Sequence, residues 1–228
     1  MTNMVNSIKP PLIKGVLFDL DGTLADTAPE LVDALNLSLT QFGYPAVQYD
    51  ALCNEASHGS LAMVQAAQPN VTPQVQQQLQ QALLQHYQQI IGDNCQLFDG
   101  LWPFLALLNQ QNIPFGVVTN KPARFTRPLL NKLGLSDMPT IVSGDSTLHS
   151  KPHVSPMLLA AQQLAVEPEH ILYLGDAQRD MEAAHASNMI AALAKWGYIR
   201  DDDNIKQWQA DISFETPIDL TQWLKQQF

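Results

Sequence analysis

The sequence predicts an α/β fold: a doubly wound parallel sheet with an α-helical insertion after its first strand. Three observations predict it. Short, wholly apolar runs recur along the chain, and each ends in a polar turn. Amphipathic helical stretches lie between most of these runs. Residues 29–92 break the alternation, placing helix after helix with no strand between them. Fully apolar strands belong in parallel sheets covered on both faces, and strand–helix alternation is the pattern of a doubly wound sheet.

The first strand is Gly15-Val16-Leu17-Phe18. The insertion follows. Pro29 to Phe42 carries Leu31, Leu35, Leu39 and Phe42 on one face, with Pro29 suited to a first helical turn. Leu61 to Ala67 is a shorter helix. Pro73 to Ile91 is a long one, with Val75, Leu79, Leu83, His86 and Ile90 as its stripe; its abundant Gln forms a solvated face, since Gln is a good helix former. Asp26 and Thr27 read as caps of the first inserted helix. The alternation then resumes. Helix Leu101 to Gln110 leads to strand Phe115–Val118, and helix Pro122 to Leu133, closed by Gly134, leads to strand Thr140–Val142. Helix Pro156 to Leu164 precedes strand Ile171–Leu174. Helix Gln178 to Ser187, with Asn188 at a left-handed cap position, precedes strand Ile190–Ala194. The expected division is a core of 1–28 and 93–228 with a cap of 29–92.

At 228 residues the chain fits one large domain or one domain with an insertion. Its 46% hydrophobic and 15% charged residues suffice for a packed core. Twelve Lys and Arg against 22 Asp and Glu give a net charge of -10, the wrong sign for a nucleic-acid partner or an anionic membrane surface. Cys53 and Cys95 are too few for a disulfide framework or a thiolate cage. Met1 to Lys14 shows no signal-peptide pattern, and no run approaches the ~20 apolar residues of a membrane span. These features lead us to expect a cytoplasmic protein, a monomer or weak dimer.

The chemistry-bearing residues stand where strands end. Asp19 and Asp21 follow the first strand, Thr119 and Asn120 the second, Lys151 the third, Asp176 and Asp180 the fourth. In an open α/β sheet ligands bind outside the carboxyl ends of the strands, so these groups converge. Carboxylates sharing a pocket call for a cation, and oxygen donors that leave room for phosphate favour Mg²⁺. Lys151 suits phosphate as a point charge. Asp19 suits a nucleophile, and Asp21 a general acid and base. Asn120, Lys121 and Arg124 flank Thr119 and are candidates for holding substrate. His58, Gly59 and Ser60, at a helix start in the insertion, are candidates for facing the cleft.

This constellation resembles the haloacid dehalogenase superfamily of phosphohydrolases. Asp19-Leu20-Asp21-Gly22-Thr23 is similar to its first motif, Thr119 to its second, Lys151-Pro152 to its third and Gly175-Asp176…Asp180 to its fourth. The likeness extends to phosphoglycolate phosphatases and to their relatives acting on N-acetylmuramic acid 6-phosphate, through Phe98-Asp99-Gly100, Gly116 to Pro122, Ser150-Lys151-Pro152, Arg124-Phe125 and Trp196-Gly197-Tyr198-Ile199. The resemblance implies a Mg²⁺-dependent phosphatase acting on a small phosphorylated metabolite through an aspartyl-phosphate. It implies metal ligation by Asp19, the Asp21 backbone carbonyl, Asp176 and Asp180, and a cap closing over the site. Two other readings stand beside it: a phosphoacceptor switch of receiver type and a phosphomutase of the same fold. An inserted cap and an acid two residues after the nucleophile oppose the first. Against the second, no Lys or Arg occurs from Gly15 to Asn120, so the insertion offers no permanent cation to a second phosphate.

Overall fold

The computed structural model describes residues 12–227; the reading of the first residues as lacking a signal peptide falls largely outside them. Six parallel strands form the central sheet: β1 (Gly15–Phe18), β4 (Phe115–Val118), β5 (Thr140–Val142), β6 (Ile171–Gly175), β7 (Ile190–Ala194) and β8 (Ile212–Phe214), in the order β5-β4-β1-β6-β7-β8. The chain builds outward from β1 to β5 on one side, then crosses back to lay β6 against β1's other edge. The order of winding therefore reverses at β1, where Phe18 pairs with Val117 and Leu174. That reversal opens a crevice beyond the strand ends.

Side chains alternate across the sheet. Val16, Phe18, Val117, Leu172 and Leu174 belong to a core shared with α5 (Leu101–Gln110), α6 (Ala123–Lys132) and α9 (Pro217–Lys225). Leu17, Val118, Ile171 and Tyr173 face the other way, into a core shared with α7 (Val154–Leu164) and α8 (Gln178–Ala186). Burial on both faces is why these strands are apolar throughout. Gly134 and Asn188 take positive φ, 71° and 61°, and end their helices as expected.

The insertion leaves and rejoins the core through a two-stranded antiparallel ribbon, β2 (Ala25–Asp26) against β3 (Gln96–Leu97). Between them lie α1 (Ala28–Gln41), α2 (Tyr49–Leu52), a 3-10 turn (Cys53–His58), α3 (Ser60–Ala67) and α4 (Pro73–Ile90). Glu30 is buried and its two oxygens accept the backbone N–H groups of Gly92 and Asn94, at 2.9 and 2.7 Å, tying the way out of the insertion to its first helix. On α4 the buried side chains are Leu79, Ala82, Leu83 and Tyr87. The stripe is therefore rotated from the expected one: His86 reaches Gln41 instead, 2.9 Å away, because Tyr87 packs its ring on Phe125 of the core.

Two expectations are corrected here. Thr27 and Asp26 do not cap α1. Thr27 occupies the cap position but makes no capping hydrogen bond; its hydroxyl donates to Asp21, and the Tyr198 hydroxyl donates to Asp26. Both polar groups near the first motif serve long-range contacts.

Candidate active site

The ends of β1, β4 and β6 place Asp19, Thr119 and Asp176 around the crevice. All three are buried. Asp19 Oδ1 accepts the Leu20 N–H at 2.7 Å and the Lys151 ammonium at 2.9 Å. Burial alone would raise the Asp19 carboxyl, but the charges of Lys151 and Arg179 win and hold it below its ordinary value. An ionised oxygen is thus presented at the floor of the site. Lys151 has no exposed side-chain surface and also donates to Asp180 and to the Tyr173 hydroxyl, each at 2.7 Å. Asn120 spends both ends of its amide on the Lys151 backbone, at 2.9 Å each, so it positions the lysine loop.

Asp19, Asp176 and Asp180 bring carboxylate oxygens within 4.8 Å of one another, all buried. Burial, then the charges of Asp180 and Asp19, push Asp176 up to about 7, although Ser57 and the Tyr198 N–H both donate to its Oδ2. A carboxyl so raised among like charges fits a divalent cation, which would favour its ionised form. Asp180 is differently placed. One oxygen takes Lys151 and Tyr173, the other the Ala177 N–H at the start of α8, so both are already occupied. The Asp21 side chain stands outside this cluster. Its Oδ1 accepts Thr27 at 2.6 Å and Lys121 at 2.8 Å, while Oδ2 takes no hydrogen bond from a described residue. The charge beside Asp21 is therefore positive. Burial would lower the Lys121 ammonium, but Asp21 raises it.

Above this floor lies a cleft of about 470 Å³, walled on one side by the insertion and on the other by the core. It brings together Asp19, Asp21, Thr119, Asn120, Lys121 and Arg124 from the core with His58, Gly59 and Ser60 from the insertion. Arg124 is exposed and lies over the Phe125 ring. Ser60 is engaged by Gln80 at 3.0 Å. Desolvation, then the Arg200 and Arg179 charges, hold the His58 imidazole below its usual range. Near neutral pH it therefore faces the cleft uncharged, as a hydrogen-bonding group rather than a cation.

Close packing behind the carboxylate cluster leaves no room for a side chain at Gly22. Gly22 has φ +81°, and a Cβ there would come to 2.2 Å from Asp176 Oδ2. Gly43 has φ +78° with nothing within 4 Å. Gly43→Ala should therefore lose only the backbone term, about 1–2 kcal/mol, while Gly22→Ala adds steric overlap of about 1–3 kcal/mol. Thermal melts should show the larger loss at Gly22, with weakened divalent-metal binding. Equal losses in the two variants would contradict this packing.

The sequence profile of the haloacid dehalogenase-like hydrolases matches residues 16–194. The chain belongs to that family. A phosphoglycolate phosphatase from Xanthomonas campestris pv. campestris is 36% identical over 208 residues, covering 91% of this chain and 94% of that protein. An N-acetylmuramic acid 6-phosphate phosphatase from Pseudomonas aeruginosa is 35% identical over 215 residues, covering 91% and 93%. The crystal structure of a predicted phosphoglycolate phosphatase from Haemophilus somnus 129pt superposes with a TM-score of 0.82 at 25% identity, covering 93% of this chain and 98% of that one. This haloacid dehalogenase-like hydrolase is a phosphoric monoester hydrolase.

Sequence reading passed over several residues of the hydrolase's site. Ser57, in the insertion, donates to Asp176 at 2.7 Å and so touches the carboxylate cluster from above. Arg200, beyond β7, lies 3.5 Å from Glu55 and adds a further link between core and insertion. Tyr173 sits inside a strand that reads as plain core, yet its hydroxyl holds Lys151. Arg179 lies between the two aspartates of the fourth motif and lines the cleft. Only Arg179 carried a usable signal, a cation on the first turn of a helix whose start bears the motif.

Proposed function

We propose that this hydrolase is a Mg²⁺-dependent phosphatase that cleaves a small, anionic organic phosphomonoester through an aspartyl-phosphate on Asp19. The observation that carries the reading is Asp19 itself: buried at the sheet's reversal, held ionised, and facing a cleft with a second carboxylate two residues on. Asp19 attacks phosphorus, and the phosphorus–ester oxygen bond breaks. Asp21 gives a proton to the departing alkoxide, then takes one from the water that opens the acyl phosphate. The Oδ2 atom left without a hydrogen bond is the one suited to that traffic. Asp19, Asp176 and the Asp21 backbone carbonyl, with Asp180 in support, would hold a divalent ion, which would supply charge neutralisation for the phosphoryl oxygens. Thr119 adds its hydroxyl. Residues 29–92 form a cap that excludes bulk water and reads the alcohol.

Both 2-phosphoglycolate and N-acetylmuramic acid 6-phosphate carry a carboxylate, and Arg124 stands at the rim of the cleft to meet one. The cleft's size and the apolar faces of Leu31, Leu61, Leu84 and Phe125 support the bulkier alcohol. A phosphatase screen with Mg²⁺ over both esters, hexose phosphates and nucleoside monophosphates tests this. The highest kcat/KM should fall on a carboxylated ester, the N-acetylmuramic acid 6-phosphate first. A neutral hexose phosphate preferred by about an order of magnitude would reject a carboxylate-reading cleft.

A further inference from the structure

The donors at the floor of the cleft are unevenly committed. Lys151 has three N–H donors and three acceptors around it: Asp19 at 2.9 Å, Asp180 at 2.7 Å and the Tyr173 hydroxyl at 2.7 Å. It has no proton left for a substrate oxygen unless it gives up a buried partner. Lys121 is paired with Asp21 at 2.8 Å. Arg124 stands at the exposed rim. Arg179 is the opposite case. Its side chain is 22% exposed, it lines the cleft, and no described residue accepts a hydrogen bond from it. Its nearest acidic atom is Asp19 Oδ2, 3.9 Å away, beyond hydrogen-bond reach. That oxygen carries no hydrogen bond, since Leu20 and Lys151 both bind Oδ1.

A phosphorus approached by Asp19 Oδ2 places its outer oxygens beside that guanidinium. A planar fork of donors matches two oxygens of a phosphoryl group, which a point charge does not. We propose that Arg179 is a catalytic residue: it donates to the phosphoryl oxygens during transfer to Asp19, while Lys151 serves to fix the nucleophile. This rests on the phosphatase reading above. It removes the need for a cation in the insertion, and it assigns the guanidinium to the reacting group rather than to the alcohol.

The two assignments separate on paired substrates. Arg179→Gln and Arg179→Lys are compared with wild type on the best carboxylated ester and on p-nitrophenyl phosphate, whose alcohol has no carboxylate. Orthovanadate inhibition is read alongside, and thermal melts check folding. The expected result is a fall in kcat of about 10²-fold on both esters alike in the Gln variant. Orthovanadate inhibition should weaken in parallel, and the Lys variant should recover only part of the rate. Loss confined to the carboxylated ester overturns the proposal, because Arg179 then reads the alcohol. So does aryl-ester turnover within about threefold of wild type. Should the Gln variant melt early, the Lys variant decides: a fall of about tenfold or more on both esters supports the role, and wild-type kcat overturns it. A wild type inactive on every ester rejects the phosphatase reading and this inference with it; an active wild type with an unimpaired Gln variant rejects this inference alone.

Discussion

Asp19→Asn should abolish turnover, a loss on the order of 10⁴- to 10⁶-fold, the scale seen when a covalent nucleophile is removed. The amide keeps the shape of the carboxylate. Its oxygen still accepts from Leu20 and Lys151, and Lys151 retains Asp180 and Tyr173, so the fold should survive. What disappears is the ionised oxygen that attacks. Acid-quenched protein incubated with labelled phosphomonoester should carry an acid-stable, alkali-labile phosphate in wild type and none in the variant. Turnover within about tenfold of wild type would remove Asp19 from the role of nucleophile.

The second large effect is that of divalent metal, and it carries a pH signature. A chelator should stop turnover and Mg²⁺ restore it, with Ca²⁺ a poor substitute because it prefers more ligands in looser geometry. Without metal, Asp176 in the folded chain titrates near 7, against its ordinary 3.8. Between those values the folded chain binds more protons than the unfolded one, so stability falls as pH rises through that window. Asp19 behaves oppositely: its depressed carboxyl contributes stability that is lost on acidification. Metal requires Asp176 ionised and should release its proton. Melts with and without Mg²⁺ should therefore show a larger rise in Tm at pH 8 than at pH 5.5, with proton release detectable by calorimetry in two buffers. A Tm indifferent to Mg²⁺ at pH 8 would leave the three buried carboxylates without their cation.

Much of the fold was legible because its signals are local. Apolar runs bounded by polar turns mark β1, β4, β6 and β7, and they mark them because both faces of the sheet are covered; Ile141-Val142 marks the edge strand β5. Strand β8 was missed. Its Ile212 and Phe214 flank an exposed Ser213, the half-buried pattern of a sheet edge rather than a full apolar run. Helix α9 was missed although its signal was present: Thr216, Pro217 and Asp219 form a capping box with proline in the first turn. The site divides the same way. Residues tied to strand ends could be collected by the topology rule. Ser57, Tyr173 and Arg200 could not, since each meets its partner across a long sequence separation. The ion pair of Asp21 was hidden for that reason too: nothing near it in the chain announces Lys121, one hundred residues away.

The paired strands β2 and β3 have a consequence for how such a chain changes over time. Because Ala25 lies opposite Leu97, the inserted segment begins and ends at almost the same point in space. Seen from the sheet, its helices are one closed loop on a short stalk. Closure entropy grows only logarithmically, by about 0.6 kcal/mol per doubling of loop length, so the inserted length is thermodynamically cheap to vary. Asp19, Thr119, Lys151 and Asp176 are all set by strands outside that loop. Apart from Thr27 and Ser57, which reach Asp21 and Asp176, the helices between Asp26 and Gln96 can be exchanged, lengthened or rewritten while the phosphate chemistry stays fixed, which separates what the protein does to a bond from which molecule carries it.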